Sequence, residues 1–267
     1  MAKGKGRVYL VGAGPGDPKL LTLRALEVIR EADLVIYDRL VDKAILEMIP
    51  PTVERVYGGK ERGSGEARQS ELNEVTLRAA KAGRRVVRLK GGDPFLFSRG
   101  GEEAEVLRKH GVEFEVVPGV TSALGVPAYA GIPATHRGLA STVTIVTGRE
   151  ARGKSSVRWA RLAKDSDTLI VLMGASKVKE IAGDLLRGGM PPKTPAAAIE
   201  RGTTGKQKTL LFTIGEAASG KLGEIEAPSV LVIGKTVPLA SRLGWWPRDR
   251  ARLSPGYRAS TRRGRPP

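Results

Sequence analysis

The chain has no cysteine and only 2 histidines among its 267 residues. The first absence excludes disulfides, thiolate nucleophiles and cysteine-rich zinc sites, and it fits an intracellular setting. The second argues against a histidine-based metal centre, so no metal is expected. His110, in RKHG, reads as a solvated helix end. Aromatic residues make up 4% of the chain and do not interleave with basic ones, which weakens any base-stacking platform for nucleic acid. No apolar run approaches membrane-spanning length. The amino terminus, MAKGKGRVYLVGAGPGD, begins basic and turns apolar, but the apolar part is short and breaks at Gly-Pro-Gly-Asp without a cleavage site. Neither a leader nor an anchor is expected, and the protein is assigned to the cytoplasm.

Cationic charge, in contrast, is plentiful. Lysine and arginine number 45 against 28 acids, a formal net charge of +17. That balance calls for a polyanionic partner, either nucleic acid or a multiply charged small molecule. Part of it is local: WWPRDRARLSPGYRASTRRGRPP has no apolar period, and residues 244–267 are read as a basic, mostly disordered tail that can be removed without loss of folding. The hydrophobic fraction of 40% supports substantial cores in the rest.

Strand-like runs alternate with helical periods from the start. RVYLVGAG, DLVIYD, ERVYGG, RVVRLKGG and FEVVPG read as strands; LLTLRALEVIREA, AILEMI, ELNEVTLRAAKAG and EEAEVLRKHG read as helices. Continuous apolar strands separated by amphipathic helices predict a mainly parallel sheet covered by helices. The Gly/Pro-rich GVTSALGVPAYAGIPATHRG then leads into a second series, STVTIVTG, TLIVLMG, TPAAAIERG, QKTLLFTIG and PSVLVIGK, with fewer helices between. The expected organisation is an N-terminal α/β domain over residues 1–137, a C-terminal α/β domain over 138–243, and the tail. Strand after strand ends in glycine: GAGPGD, GGK, GGDP, PGVTS, TGRE, MGAS, ERGT. In open α/β sheets ligands bind beyond the carboxyl ends of the strands, where glycine lets them approach the backbone, so the set predicts a cleft between two α/β domains.

Two glycine motifs compete for a nucleotide. Gly148, Gly153, Lys154 and Ser155, in VTIVTGREARGKSS, fit the phosphate-loop spacing G-x-x-x-x-G-K-S/T, but the next strand, TLIVLMG, carries no carboxylate to hold magnesium. GAGPGD opens like a dinucleotide fingerprint, yet its spacing is G-x-G-x-G with Pro15 inside, and Asp17 would face a pyrophosphate unfavourably. Asp33 and Asp38 lie near the distance of a ribose-binding acid, which keeps that reading open. The most specific segment is LKGGDPFLFSRGGEE, residues 89–103. Asp93 suits a ligand bearing hydroxyls or an amine, Arg99 suits a carboxylate, and Glu102 and Glu103 favour a helix N-terminus.

Together VGAGPGDPKLLTLRA, VIYDRLV, LKGGDPFLFSRGGEE, VVPGVTSALGVPAYAGIPATHRG and VLMGAS closely resemble the uroporphyrinogen-III C-methyltransferases of the tetrapyrrole methylase family, from about Gly6 to Leu239. The resemblance implies two α/β domains with S-adenosyl-L-methionine in the cleft between them, S-adenosyl-L-homocysteine as its product, a tetrapyrrole substrate and a homodimer. It makes nucleic acid an unexpected partner and the phosphate-loop match an accident. The implied reaction is two successive methylations of uroporphyrinogen III to precorrin-2; later corrin methyltransferases and diphthine synthase are the alternatives within the class, and a phosphate-loop nucleotide- or RNA-binding protein is the alternative outside it. The dehydrogenase/chelatase module of some siroheme synthases is not expected. Residue by residue, the resemblance gives Asp38 as proton acceptor and Lys60 as proton donor. It assigns Arg39, Arg99 and Arg137 to substrate carboxylates and Glu102 to pyrrole N–H groups. Pro15, Gly91, Gly92, Asp93, Leu96, Thr121, Ser122 and Met173 match cofactor positions; Gly202 and Ser229 match through shorter local similarity. Ser98 stands where the family often has glycine.

Overall fold

Both faces of the first strand are buried, and that decides the architecture of the N-terminal half. In RVYLVG (β1, Arg7–Gly12), Tyr9 and Val11 enter one apolar cluster, and Val8 and Leu10 enter another on the opposite face. A strand apolar on both sides belongs in a parallel sheet with helices on each face. The computed structural model describes residues 6–59, 65–149, 157–247, 249 and 251–257, and it divides into two compact units, Met1–Ser122 and Ala123–Pro267.

The first unit continues with α1 (Leu23–Arg30), β2 (Leu34–Tyr37), α2 (Lys43–Leu46), β3 (Glu54–Tyr57), α3 (Gly65–Lys81), β4 (Arg85–Lys90), α4 (Gly100–Lys109) and β5 (Glu113–Val117). Its five strands are all parallel, in the order β3-β2-β4-β1-β5. Helix α1 starts where the Thr22 hydroxyl accepts the Ala25 N–H at 3.2 Å, and it buries Ala25, Val28 and Ile29 at helical spacing. The chain leaves β2 toward β3 but leaves the adjacent β4 toward β5, in the opposite direction along the sheet. Adjacent strands with diverging exits form a switch point, the place where open α/β sheets receive ligands.

The second unit holds α5 (Ser122–Tyr129, its first residue shared with the first unit), β6 (Val143–Thr147), α6 (Trp159–Asp165), β7 (Thr168–Leu172), α7 (Val178–Arg187), β8 (Pro195–Glu200), β9 (Lys208–Thr213), α8 (Ile214–Ser219), β10 (Ser229–Gly234), α9 (Ala240–Leu243) and β11 (Arg252–Leu253). Its sheet, ordered β11-β9-β8-β10-β7-β6, is mixed: β10 runs antiparallel to both β7 and β8, and β8 antiparallel to β9. The parallel expectation therefore holds for the first unit only. The boundary also falls earlier than residue 137. The Gly/Pro-rich segment read as a lead-in forms α5, which buries Ala123, Gly125, Val126, Pro127 and Tyr129; burial overrides the low helix propensity of Gly125 and Pro127.

The tail expectation is corrected for the described residues up to 257; residues 248, 250 and 258–267 of that tail lie outside the described residues. Trp245 donates its indole N–H to the Ala128 carbonyl at 2.8 Å, and the rings of Trp245 and Trp246 lie 4.9 and 4.8 Å from that of Tyr129. Further on, β11 adds a parallel edge strand to β9, and the Ser254 N–H reaches Leu211 O at 2.8 Å. Glu216, the acid of the α8 capping box, also accepts the Ser254 hydroxyl at 2.7 Å and the Gly256 N–H at 2.8 Å. Burial opposes its charge, but the bonds from Ser254, Thr213 and Gly256 outweigh burial and hold the carboxyl below its ordinary value.

Truncation after Leu243 should therefore be destabilising, by about 2–4 kcal/mol if each lost ring contact is worth about 0.5–1.5 kcal/mol, read from urea denaturation. The Glu216 contribution has the sign of a depressed acid: complete above about pH 4.3 and lost as pH falls through the lower folded value. The protection of the Ser254 amide against hydrogen exchange, relative to an unfolded amide at the same pH, should fall in acid, and Glu216→Gln should lower it at neutral pH and remove the acid step.

Candidate functional site

Four glycines bring the exits of β1, β4 and β5 into backbone contact. Gly14 and Gly92 exchange hydrogen bonds, N–H of Gly14 to O of Gly92 at 3.1 Å and N–H of Gly92 to O of Gly14 at 2.8 Å, and the Ala13 N–H reaches Lys90 O at 2.8 Å. A Cβ on Gly12 would lie 2.6 Å from the Gly119 Cα and 2.6 Å from the Gly92 carbonyl oxygen, so bare backbone is required. Gly92 has a φ of +70°, a conformation that favours glycine on its own account. Asp93 ties the same loops together: one oxygen accepts the Phe95 N–H at 2.8 Å and the other the Gly119 N–H at 3.1 Å. The result is a floor of closely spaced backbone at the sheet end where open α/β sheets receive ligands.

The sequence-assigned residues of the first unit gather around this floor. Half-buried Pro15 lies in the β1 loop; Gly91, Gly92, Asp93 and Leu96 lie in the β4 loop; Thr121 and Ser122 follow β5, with the Ser122 backbone N 3.7 Å from where a Gly92 Cβ would be. Gly91 packs against Leu40, which brings the β2 loop with Asp38 and exposed Arg39 beside the β4 loop. Between β4 and α4, Phe97 and Arg99 both adopt positive φ, 53° and 64°. Neither is glycine, and strain held at a loop of this kind marks a constrained site. Phe95 and Phe97 are exposed there, and Arg99 pairs with Glu102 at 2.5 Å.

In the second unit the register gathers the remaining positions at one sheet end. Because β10 is antiparallel, Ser229 pairs with Glu200 and Val230 with Leu172, so Ser229 lies level with the exits of β7 and β8. Those exits carry Met173 and Gly202. Met173 has a φ of 57° and is 47% exposed, and Arg201 and Thr203, on either side of Gly202, have φ values of 47° and 65°. A Cβ on Gly202 would come within 2.3 Å of Val126. The Ser229 hydroxyl is buried and has no hydrogen-bond partner among the described residues. Arg137 is exposed, in a loop closed by the His136–Ala140 bridge. Lys60 lies outside the described residues, as do Gly153, Lys154 and Ser155 of the phosphate-loop match.

One part of the site is absent from the sequence reading. Arg88 and Lys90, two apart on the central strand β4, point to the same face and are buried there. Glu103, expected to favour the start of α4 from its surface, is buried instead, with Lys90 Nζ 3.0 Å from each of its oxygens and Arg88 Nε 3.2 Å from Oε1. Gln69 adds a bond at 2.8 Å, and Asp38 receives Arg88 at 2.5 Å. Burial opposes the Arg88 charge, but Asp38 and Glu103 together hold its guanidinium above the usual arginine value. Burial, and next to it the charge of Arg88, push the Lys90 ammonium down despite Glu103 and Asp38. The signal in the sequence was the alternation V-V-R-L-K, which places both cations on one face of a strand too apolar to be an edge.

Among the described residues no cluster of histidine, cysteine, aspartate and glutamate is fit to hold a metal, and no helix is long and apolar enough to cross a membrane. The fold and the strand-end loops are those of the tetrapyrrole (corrin/porphyrin) methylases: residues 7–218 match that family's model, and the chain belongs to it. It is 48% identical over 247 residues to the S-adenosyl-L-methionine-dependent uroporphyrinogen III methyltransferase of Methanosarcina barkeri, covering 91% of this chain and 97% of that one. With the siroheme synthase of Stutzerimonas stutzeri it shares 46% identity over 246 residues, 91% of this chain but 53% of the synthase, so it spans about half the length of that relative. A solved uroporphyrin-III C-methyl transferase from Thermus thermophilus, complexed with S-adenyl homocysteine, matches with a TM-score of 0.77 and 45% identity over 87% of this chain and 99% of that one.

Gly12→Ala tests the three-loop contact. It should destabilise the protein by about 1–3 kcal/mol, measured by urea denaturation, because backbone and not a flexible side chain must move; Gly101→Ala, where nothing lies within 4 Å of the added carbon, should be silent.

Proposed function

We propose that the protein is an S-adenosyl-L-methionine-dependent C-methyltransferase that methylates uroporphyrinogen III twice to give precorrin-2. The observation that carries this reading is the near end-to-end likeness to the Methanosarcina barkeri methyltransferase. Supporting it in the chain's own geometry are strand-end loops packed backbone to backbone, with no room for a Cβ at Gly12 or Gly119, and a buried, unpartnered Ser229 hydroxyl. S-adenosyl-L-methionine, when bound, supplies an electrophilic methyl that a nucleophilic pyrrole carbon displaces.

The residues divide this work. Backbone of Gly91 and Gly92, with Pro15, Leu96, Thr121, Ser122, Met173, Gly202 and Ser229, holds the co-substrate, and Asp93 fixes the two loops that meet there. Arg39, Arg99 and Arg137 engage the carboxylates of the tetrapyrrole, where planar guanidinium groups bond bidentately. Glu102, paired with Arg99 before substrate binds, turns to pyrrole N–H groups. Asp38 takes the ring proton released after methyl transfer, and Lys60 is assigned as proton donor. Catalysis on this scheme is mainly positioning, supported by proton transfer at these two groups. The protein acts as a cytoplasmic homodimer, and the excess of positive charge favours capture of a polycarboxylate from solution.

Incubation of uroporphyrinogen III with S-adenosyl-L-methionine and the protein should give a product whose mass spectrum shows two added methyl groups. No added methyl, with methylation of a later corrin intermediate instead, would reassign the step. In the same assay Arg99→Ala should lower kcat/KM about ten- to a hundredfold, the loss of a charge-assisted contact worth about 1.5–3 kcal/mol, with S-adenosyl-L-methionine affinity by calorimetry unchanged.

A further inference from the structure

Asp38 is the outer member of a charge cluster whose other members are almost entirely buried. Its side chain is 30% exposed, against 4% for Arg88, 1% for Lys90 and 5% for Glu103. Every element packed around it contributes: Asp38 follows β2, Arg88 and Lys90 come from β4, Glu103 from α4 and Gln69 from α3. The two oxygens of Asp38 are not equivalent. Oδ1 accepts from Arg88 Nη2 at 2.5 Å, whereas Oδ2 lies 3.8 Å from Lys90 Nζ, beyond hydrogen-bond reach. Arg88 is itself held by Glu103 through Nε at 3.2 Å. A guanidinium bonded on two sides in a buried site has one available pose, and it passes that pose to the carboxylate.

We infer that Arg88, braced by Glu103 and Lys90, is a positioning residue that occupies Oδ1 of Asp38 and leaves Oδ2 as the oxygen that takes the substrate proton. In that step a C–H bond of the bridging carbon next to the methylated ring breaks, its electron pair forms a double bond that neutralises the cationic ring, and the proton forms an O–H bond at Oδ2, from which it passes to solvent at the exposed edge of the carboxylate. The inference rests on the reading of Asp38 as proton acceptor. The depressed basicity of Lys90 fits a second, more remote cation whose charge the cluster needs less than that of Arg88.

The test is a double-mutant cycle on kcat with uroporphyrinogen III, folding being checked by thermal melting. Arg88→Lys keeps the buried charge but loses the fork that reaches Asp38 and Glu103 together. It should lower kcat about ten- to a hundredfold, the scale set by misplacing a catalytic group by about 1 Å, while tetrapyrrole KM and S-adenosyl-L-methionine Kd stay within about twofold of wild type. In an Asp38→Asn background, already slowed about a hundredfold or more, the same change should alter the residual rate by less than about twofold. An equal loss in both backgrounds, or no loss in either, would overturn the positioning role while leaving Asp38 as acceptor. An Asp38→Asn variant with wild-type kcat would overturn the acceptor reading and this inference with it. Should Arg88→Lys melt below the assay temperature, Lys90→Met takes its place in the same cycle, with a smaller loss expected and the same non-additivity as the criterion.

Discussion

Two cations on the central strand of a parallel sheet impose a condition on everything around them. A buried charge costs several kcal/mol even after relaxation, and the cost is recovered only where geometry and additional hydrogen bonds are good. Arg88 and Lys90 meet that condition through Glu103 from α4 and Asp38 beyond β2, with Gln69 of α3 completing the Glu103 side. The pairing therefore fixes the approach of two helices and one strand-end loop to the same few ångströms of β4. Apolar residues of similar volume would serve stability as well or better. What they would not do is hold a partly exposed carboxylate in one orientation beside Gly91 and Leu40, at the mouth of the switch point.

Much of this was legible in the sequence, and the rest was hidden for identifiable reasons. RVYLVGAG announces a strand because both its faces are apolar, RVVRLKGG does so through its β-branched run, and the glycine exits mark the sheet end where open α/β sheets receive ligands. The rule that charged residues are exposed concealed Arg88, Lys90 and Glu103, since burial of a charge is permitted only by partners distant in the chain: Glu103 is 15 residues from Arg88 and Asp38 is 50. Helix α5 was obscured by Gly125 and Pro127, whose poor propensity is overridden by packing. The docking of Trp245, Trp246 and β11 was obscured by the arginines and prolines between them; its anchors, the Ala128 carbonyl and the free edge of β9, do not exist until the second unit has folded. Equally, no local pattern distinguishes an antiparallel β10 from a parallel one when its flanks are loops.

That antiparallel strand matters for the second unit's share of the site. In a wholly parallel sheet the residue that opens a strand lies at the end opposite the strand exits. Reversal of β10 brings its first residue, Ser229, level with Met173 and Gly202, so three positions scattered over the sequence share one sheet end. The same end collects three non-glycine residues with positive φ, at Met173, Arg201 and Thr203. Each such residue costs on the order of 1 kcal/mol or more and persists only where its surroundings hold it; here Gly202 pressed against Val126, and Thr203, whose N–H reaches Gln207 at 2.7 Å, supply that hold.

The two units bring their family-matched positions together by different physical means. In the first, backbone is brought close by glycine and held by Asp93, beside a carboxylate set by buried arginine. In the second, strained backbone collects Met173, Gly202 and Ser229 at one sheet end. Methyl transfer to carbon asks little of acid–base chemistry beyond one proton acceptor, because the leaving group departs uncharged and the barrier falls chiefly through alignment of nucleophile, methyl and leaving group. A chain without cysteine, with 2 histidines and with rigidly organised loop exits is suited to that demand. On the proposed scheme its surplus of arginine and lysine serves chiefly recognition of an anionic substrate, and the chemistry turns on Asp38 as proton acceptor with Lys60 as the assigned donor.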